Sequence, residues 1–349
     1  MHNREKFLRL LRGAAARLPT PWLVRLSGQR LLVPVYHLVA DAPVPHVRHL
    51  YPVKTVGAFR QDLAFLLKHF RPIDLPELQR LVQSGQSPPR NAVLLTFDDG
   101  LREFHDVIAP VLQAQGVPAV CFLNSDFIDN KSLFYRYQAS LLIEALTTDP
   151  RLARAPAVRA WQAAHAAPGQ SLRAAILGVS YRHRAVLEEL AAGLDVDFEG
   201  YLRTRQPYLT TPQIRALQAG GFHFGGHSCD HPEYQFIALP EQLRQTRESV
   251  AAVAATFGLA YQAFAFPFTD YGVSADFFQQ LYQPGSSLDV SFGCAGLKHE
   301  HWPRHVQRVP LETQGRGARE IVNTEYLYFL LKALLGKNAI HRPFLVPTE

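Results

Sequence analysis

The sequence predicts an α/β fold built on a parallel sheet, and three observations carry that prediction. The stretch Asn91–Leu101 reads N-A-V-L-L-T-F-D-D-G-L; its apolar run Ala92–Leu95 is too short for a helix and is bounded by Pro88-Pro89 and Gly100. That is the profile of a strand buried on both faces, as in a parallel sheet. A second short strand, Phe222–Phe224, also runs into a polar loop, Gly225-Gly226-His227-Ser228-Cys229-Asp230-His231-Pro232. Around these two, short apolar runs alternate with helical patterns. Since α/β barrels of about 200–250 residues form single domains, one barrel with an insertion and terminal helices accounts for the 349 residues.

The chain opens on a helix in which Phe7, Leu11, Ala14 and Leu18 share a face, with Arg9 and Arg12 opposite and Thr20-Pro21 as its end. Leu31–Tyr36 reads as the first strand and is followed by His37. Val56–Phe70 and Asp74–Val82 carry helical patterns. Beyond the D-D-G stretch, Phe104–Gln115 is a helix closed by Gly116, and Val117–Leu123 is a strand with Asn124 and Asp126 past its end. Residues 131–205 form an Ala- and Arg-rich helical insertion, for which a lid, an oligomer contact and an ornament of the fold stay open. Thr210-Thr211-Pro212 is an N-cap with proline in the first turn, and that helix ends at Gly220-Gly221. Pro240–Phe257 and Val273–Leu281 are helices, Ala263–Phe266, Leu288–Phe292 and Val306–Val309 strands, and Glu320–Leu335 an apolar helix stopped by Gly336. The expected organisation is a basic amphipathic segment over 1–30, a barrel over 31–311 and a C-terminal helix and tail over 312–349.

Two anions side by side, Asp98 and Asp99, repel, and a fold keeps them at a strand end only when a cation or a catalytic task offsets the repulsion. Alone, a D-D-G would be an Asp-Gly turn. The His-x3-His of His227 and His231 changes that, because four-residue spacing can bring both rings onto one metal. One carboxylate and two imidazoles make a three-ligand N/N/O site with open positions, the composition of catalytic rather than structural metal sites.

T-F-D-D-G followed by H-S-x-x-H resembles the signature of the polysaccharide deacetylases, the NodB homology domain of carbohydrate esterase family four. The likeness runs from about Leu31 to Leu311, and Ala263-Phe264-Ala265-Phe266-Pro267-Phe268 is similar to the family's strand ending in Pro-aromatic. The resemblance implies a distorted (β/α) barrel of about seven strands, with a helical insertion and terminal helices. It implies Asp98 as general base and Asp99, His227 and His231 as ligands of a divalent metal, with zinc expected. It also implies the Phe268 N–H as an oxyanion donor, and places His37, after a family-like Tyr-His, at the mouth of the site beside substrate.

The chain departs from the family at two places. The arginine expected two residues before the Pro267 position is Ala265, so another group must orient Asp98. No clear Leu-x-His follows, and the general acid is expected instead from His299–His305, with His305 preferred and Asp270 to orient it or to contact substrate.

Seven basic residues (Arg4, Lys6, Arg9, Arg12, Arg17, Arg25 and Arg30) against Glu5 put the whole net charge of +6 into the first 30 residues. The neutral remainder argues against a nucleic-acid footprint. Packing on the barrel and contact with an anionic membrane surface are both open for residues 1–20. Cys121, Cys229 and Cys294 are odd in number and widely spread, so neither a disulfide framework nor a zinc-thiolate site is expected. With Phe7–Leu18 interrupted by arginines and no apolar run of about 18 residues, the expectation is a cytoplasmic chain, peripheral to a membrane if attached at all. The function expected is metal-dependent removal of N-acetyl groups from an N-acetylated saccharide, polymeric or lipid-linked. The alternatives are a metal-independent amidase acting on another C–N bond and a non-catalytic saccharide-binding protein.

Overall fold

The computed structural model describes residues 2–312 and 315–345; residues 1, 313–314 and 346–349, parts of the expected terminal segments, lie outside the described residues, as do the side chains of residues 2–6, Arg4 and Lys6 among them. The strands are β1 (Leu31–Leu32), β2 (Pro34–Tyr36), β3 (Arg71–Pro72), β4 (Ala92–Val93), β5 (Leu95–Phe97), β6 (Ala119–Leu123), β7 (His223–Gly226), β8 (Ala263–Ala265), β9 (Val290–Gly293), β10 (His305–Gln307) and β11 (Val309–Pro310). All pair in parallel, in the order β10-β9-β8-β7-β6-β5-β2-β11, with a small β1-β4-β3 sheet beneath. β10 and β11 are one strand interrupted only at Arg308. Its first half pairs with β9 and its second with β2, so this strand closes the ring. The result is the distorted (β/α) barrel of about seven strands that the sequence predicts.

Strand periodicity sorts the core. Leu94, Val120, Phe122, Ala263, Ala265, Val290 and Phe292 form the barrel interior, joined by Leu75 and Leu78 of the helix Leu75–Gln83. Residues of the opposite parity, such as Leu95, Phe97, Cys121 and Phe224, pack outward under the surrounding helices. Gly225 lets β7 lie against its neighbours, because a Cβ there would stand 2.7 Å from Ala263 O and 2.8 Å from the Phe122 ring.

The insertion folds into the helices Tyr135–Thr148, Pro156–His165, Leu172–Gly178, Val186–Leu194 and Phe198–Arg205. They build a separate apolar core that also takes in Leu38, Val47 and Leu101 from loops at the C-terminal ends of the strands. It therefore sits on the barrel face where residues past the strand ends form an active site.

The N-terminal helix ends at Arg17 rather than at Thr20-Pro21, which instead opens a second helix, Thr20–Ser27. Proline has no N–H to lose in a first helical turn, so it starts this helix rather than stopping the one before. Ala15 is buried where the first helix packs on the final one, Ala318–Leu334, and Phe7 meets Tyr328 with ring centroids 5.7 Å apart. Among the described residues no helix is long and apolar enough to cross a membrane.

Candidate active site

Asp98 continues the inward row of Leu94 and Thr96 at the end of β5. Asp99 (φ 72°) and Gly100 (φ 60°) then take left-handed backbone and reverse the chain, so two adjacent carboxylates meet at one place. Glycine suits position 100, since the backbone there is left-handed and a Cβ would lie 2.7 Å from the Leu123 side chain. His231 (φ 63°) and Phe268 (φ 54°) are left-handed too. Such residues cost of order 1–3 kcal/mol each and collect at functional sites.

Asp99, His227 and His231 are all buried and offer ligand atoms within 4.8 Å of one another. Asp99 Oδ1 stands 3.5 Å from His227 Nε2 and 3.2 Å from His231 Nε2. His227 Nδ1 contacts Ala265 O at 2.8 Å. A carbonyl only accepts, so Nδ1 carries the proton and Nε2 is a bare lone pair. Burial pushes the His227 pKa down to about 4, which keeps that ring neutral. Two buried acceptors, Asp99 Oδ1 and His227 Nε2, thus face each other with no protein donor between them. A tetrahedral centre with bonds of roughly 2.0–2.1 Å sets its ligands about 3.3 Å apart, which matches both spacings. These three residues fit a divalent cation.

Asp98 Oδ2 lies 3.8 Å from His227 Nε2, beside this set. Its partner is Arg308, which the sequence reading did not identify. Nη1 donates to Oδ1 at 2.6 Å and Nη2 to Oδ2 at 2.8 Å, while Nε donates to Gly293 O at 3.1 Å. Burial alone would push the Asp98 pKa up; the Arg308 guanidinium and then His227 reverse this and hold the carboxyl below its ordinary range. The orienting arginine missing at Ala265 is thereby supplied from the strand that closes the barrel.

The insertion reaches the site directly. Tyr137, from its first helix, donates to Asp99 Oδ2 at 2.7 Å, leaving Oδ1 toward the histidines. Phe134 covers the His231 ring at 4.3 Å, and Phe268 meets the same ring at 4.7 Å. The insertion thus walls one side of the site, the place that the expected lid would occupy. Phe268 itself is 42% exposed, and its N–H takes no acceptor among the described residues.

Two expectations need correction. His305 shares the face of β10 opposite to Val306, which packs on the barrel interior, so it points away from Asp98 and toward Phe266 and Phe278. Its Nδ1 pairs with Ser291 Oγ at 2.6 Å and its Nε2 with Asp270 Oδ2 at 3.2 Å. Asp270 is buried as well, accepting from Cys294 N at 3.0 Å, from Gln307 Nε2 at 2.8 Å and from Arg342. Both are buried in an internal network that Glu300 completes, with Arg342 bridging the Asp270 and Glu300 carboxylates. His37, by contrast, stands at the site: its side chain is 32% exposed and Nδ1 meets Glu312 Oε2 at 2.7 Å.

Comparison with known proteins agrees with this geometry. The model of the polysaccharide deacetylase family matches residues 85–282. A poly-beta-1,6-N-acetyl-D-glucosamine N-deacetylase of Escherichia coli (strain K12) is 36% identical over 65 residues, which are 18% of this chain and 10% of that protein. The chain thus aligns with about a tenth of that relative's length. The Streptococcus pyogenes deacetylase PplD, solved in complex with acetate, superposes with a TM-score of 0.52 at 12% identity, covering 85% of this chain and 98% of that one. IcaB from Ammonifex degensii gives 0.51 at 16% identity, covering 86% and 98%. At such identities the superpositions speak for the fold, and the family match speaks for the kind of enzyme. The chain belongs to the polysaccharide deacetylase family of hydrolases.

Proposed function

We propose that this chain removes N-acetyl groups from an N-acetylated saccharide, with a divalent metal, zinc by preference, held by Asp99, His227 and His231. The observation that carries the reading is the buried pair of facing acceptors, Asp99 Oδ1 and His227 Nε2, at the spacing of metal ligands. It favours a metal-dependent enzyme over a metal-free amidase. The bidentate Arg308–Asp98 pair counts against a decayed, non-catalytic binding protein, since a buried ion pair aimed at an idle site would only burden the fold. The name of the E. coli relative supports an N-acetylglucosamine unit as the sugar.

A bound zinc ion would supply Lewis acidity, polarising an amide carbonyl and lowering the pKa of a water toward about 7. Asp98 takes a proton from the attacking water; Arg308 keeps it ionised and aimed, and also lowers its basicity, so it serves an activated water rather than a bulk one. The Phe268 N–H is offered to the oxyanion of the tetrahedral intermediate. Tyr137 holds Asp99 so that one oxygen stays directed at the histidines. Acetate release from N-acetylglucosamine oligomers, assayed with and without chelator, tests the proposal. Release should stop on chelation and return with added zinc, and chelator-resistant turnover would refute the metal-dependent reading.

We also propose a peripheral contact with an anionic membrane through the N-terminal helices. Leu10, Trp22 and Leu26 are left 68–78% exposed beside the exposed Arg9, Arg17 and Arg25, a combination that suits anionic headgroups. Vesicle flotation should weaken in a Leu10→Glu/Trp22→Glu variant, and equal flotation of variant and parent would refute the contact.

A further inference from the structure

Exposed apolar rings are spread unevenly over this protein. Among the described residues between 28 and 333, the large hydrophobic side chains left exposed are Phe236, Phe268 and Tyr271. All are aromatic, and all lie on the loops that follow β7 and β8, which also carry His231 and the Phe268 N–H. The two loops touch, since a Cβ on Gly272 would stand 3.0 Å from the Gln235 Cβ. Apolar surface gathered at one exposed place marks a binding groove or a contact with another molecule.

Phe236 is held out in the solvent by fixed neighbours. Its short helix, Tyr234–Phe236, is anchored by Tyr234, whose ring is buried against Phe264, Phe266 and Phe277. Gln242 Nε2 donates to Tyr234 O at 2.7 Å and to Ile237 O at 3.1 Å. From the insertion, Arg182 Nη2 donates to Phe236 O at 2.8 Å. Between this loop and the insertion lies a pocket of about 580 Å³, whose lining includes Tyr181, Arg182, Glu233, Gln235 and Phe236. Ligand pockets run from roughly 300 to 1,000 Å³, so one sugar fits. The opposite wall is fixed as well: Tyr181 donates to Asp230 Oδ2 at 2.6 Å, and the Arg184 guanidinium covers its ring at 4.0 Å. Glu233 is two residues past His231, which puts its backbone within about 7 Å of that ligand's.

We propose that this pocket, built jointly by the insertion and the loop after β7, is a saccharide subsite for a sugar unit neighbouring the reacting one, so that the substrate is an oligomer or polymer; this rests on the deacetylase reading above. A pyranose suits the pocket chemically. Its axial C–H bonds make an apolar face that packs on an aromatic ring, while its equatorial hydroxyls point outward to the rim. Phe236 offers the ring, 55% exposed. Around it Arg182 offers donors, Glu233 an acceptor and Gln235 both. A membrane suits it less, since the ring lines a pocket with a carboxylate beside it instead of standing at the tip of an apolar loop. Because both walls are fixed before the sugar arrives, little ordering cost offsets the contact.

The test reads binding apart from turnover. An N-acetylglucosamine pentamer is titrated by calorimetry into the zinc-loaded Asp98→Asn protein, which holds substrate without turning it over. Adding Phe236→Ala should weaken pentamer binding by about 3–10-fold, the scale of one aromatic contact. Phe236→Tyr should restore the affinity, whereas Phe236→Leu, apolar but not flat, should behave as the alanine variant does. In the otherwise native enzyme Phe236→Ala should lower kcat/KM on the pentamer by a similar factor, mainly through KM, and lower it less on 4-nitrophenyl acetate, which is too small to reach the pocket. Equal pentamer affinity with and without the Phe236 ring, or equal losses on pentamer and aryl ester, would overturn the subsite. So would weaker flotation of Phe236→Ala with anionic vesicles at unchanged pentamer affinity, which would make the ring a membrane contact. A native enzyme that binds zinc and pentamer but releases no acetate would sink the deacetylase reading, and the Phe236→Ala titration would still decide the subsite.

Discussion

Replacing Arg308 by methionine tests the organisation of the site most severely. The guanidinium is 1% exposed and all of its nitrogens are engaged, two of them on Asp98, which is 4% exposed. Methionine fills much of the volume but leaves a buried carboxylate without its cation, and breaking a buried pair in this way costs about 3–5 kcal/mol. Urea denaturation of the metal-free protein should register that loss. In the Arg308→Met/Asp98→Asn protein the uncompensated charge is gone, so the combined loss should fall short of the sum of the single losses by about 1–3 kcal/mol. Turnover should drop by about 10²-fold in Arg308→Met, the scale of a base misplaced by an ångström. Arg308→Lys, which keeps the charge but not the two-pronged geometry, should fall between. Additive stabilities with parental kcat would refute the claim that Arg308 replaces the arginine absent at Ala265.

Asp98→Asn should bind zinc almost as the parent does while losing about 10²–10⁴-fold in rate, and Asp99→Asn should lose the metal; calorimetry showing the reverse would exchange their roles. Tyr137→Phe removes the donor to Asp99 Oδ2 and should weaken zinc binding by about 10–100-fold, so unchanged affinity would make the insertion a wall and nothing more. His305→Ala should leave kcat within about twofold while costing about 1–3 kcal/mol, because it strips partners from a buried network remote from the metal ligands; a rate loss at parental stability would return His305 to the site. The His37 pKa is raised above its unfolded value of about 6.5. The Glu312 pair's contribution to stability is therefore complete below about pH 6.5 and is lost as pH climbs through about 9. Melting temperatures of Glu312→Gln should lack that alkaline decline.

Much of the barrel was legible because each buried strand advertises itself locally: Ala92–Leu95, Val117–Leu123 and Ala263–Phe266 are short apolar runs with turn residues at their ends. The metal ligands were legible for a similar reason, since Asp99, His227 and His231 come from two compact segments whose internal spacing is chemically distinctive. Residues brought in from far along the chain were not. Arg308 stands 210 positions from Asp98 and Glu312 stands 275 from His37, and each is a single ordinary residue at a strand end. Tyr137 lies in a helix whose sequence carries the same pattern whether it faces solvent, a partner or a metal site. His305 misled for the complementary reason: sequence position put it beside the last strand, but a pleated strand alternates its side chains, and only closure of the barrel decides which parity faces inward. By itself, then, the sequence determined the elements and the local ligand motifs, because propensity and spacing act over a few residues. The tertiary structure alone decided that Arg308 pairs with Asp98, that Glu312 holds His37 and that His305 turns away, because those contacts depend on which strand ends the closed ring sets side by side.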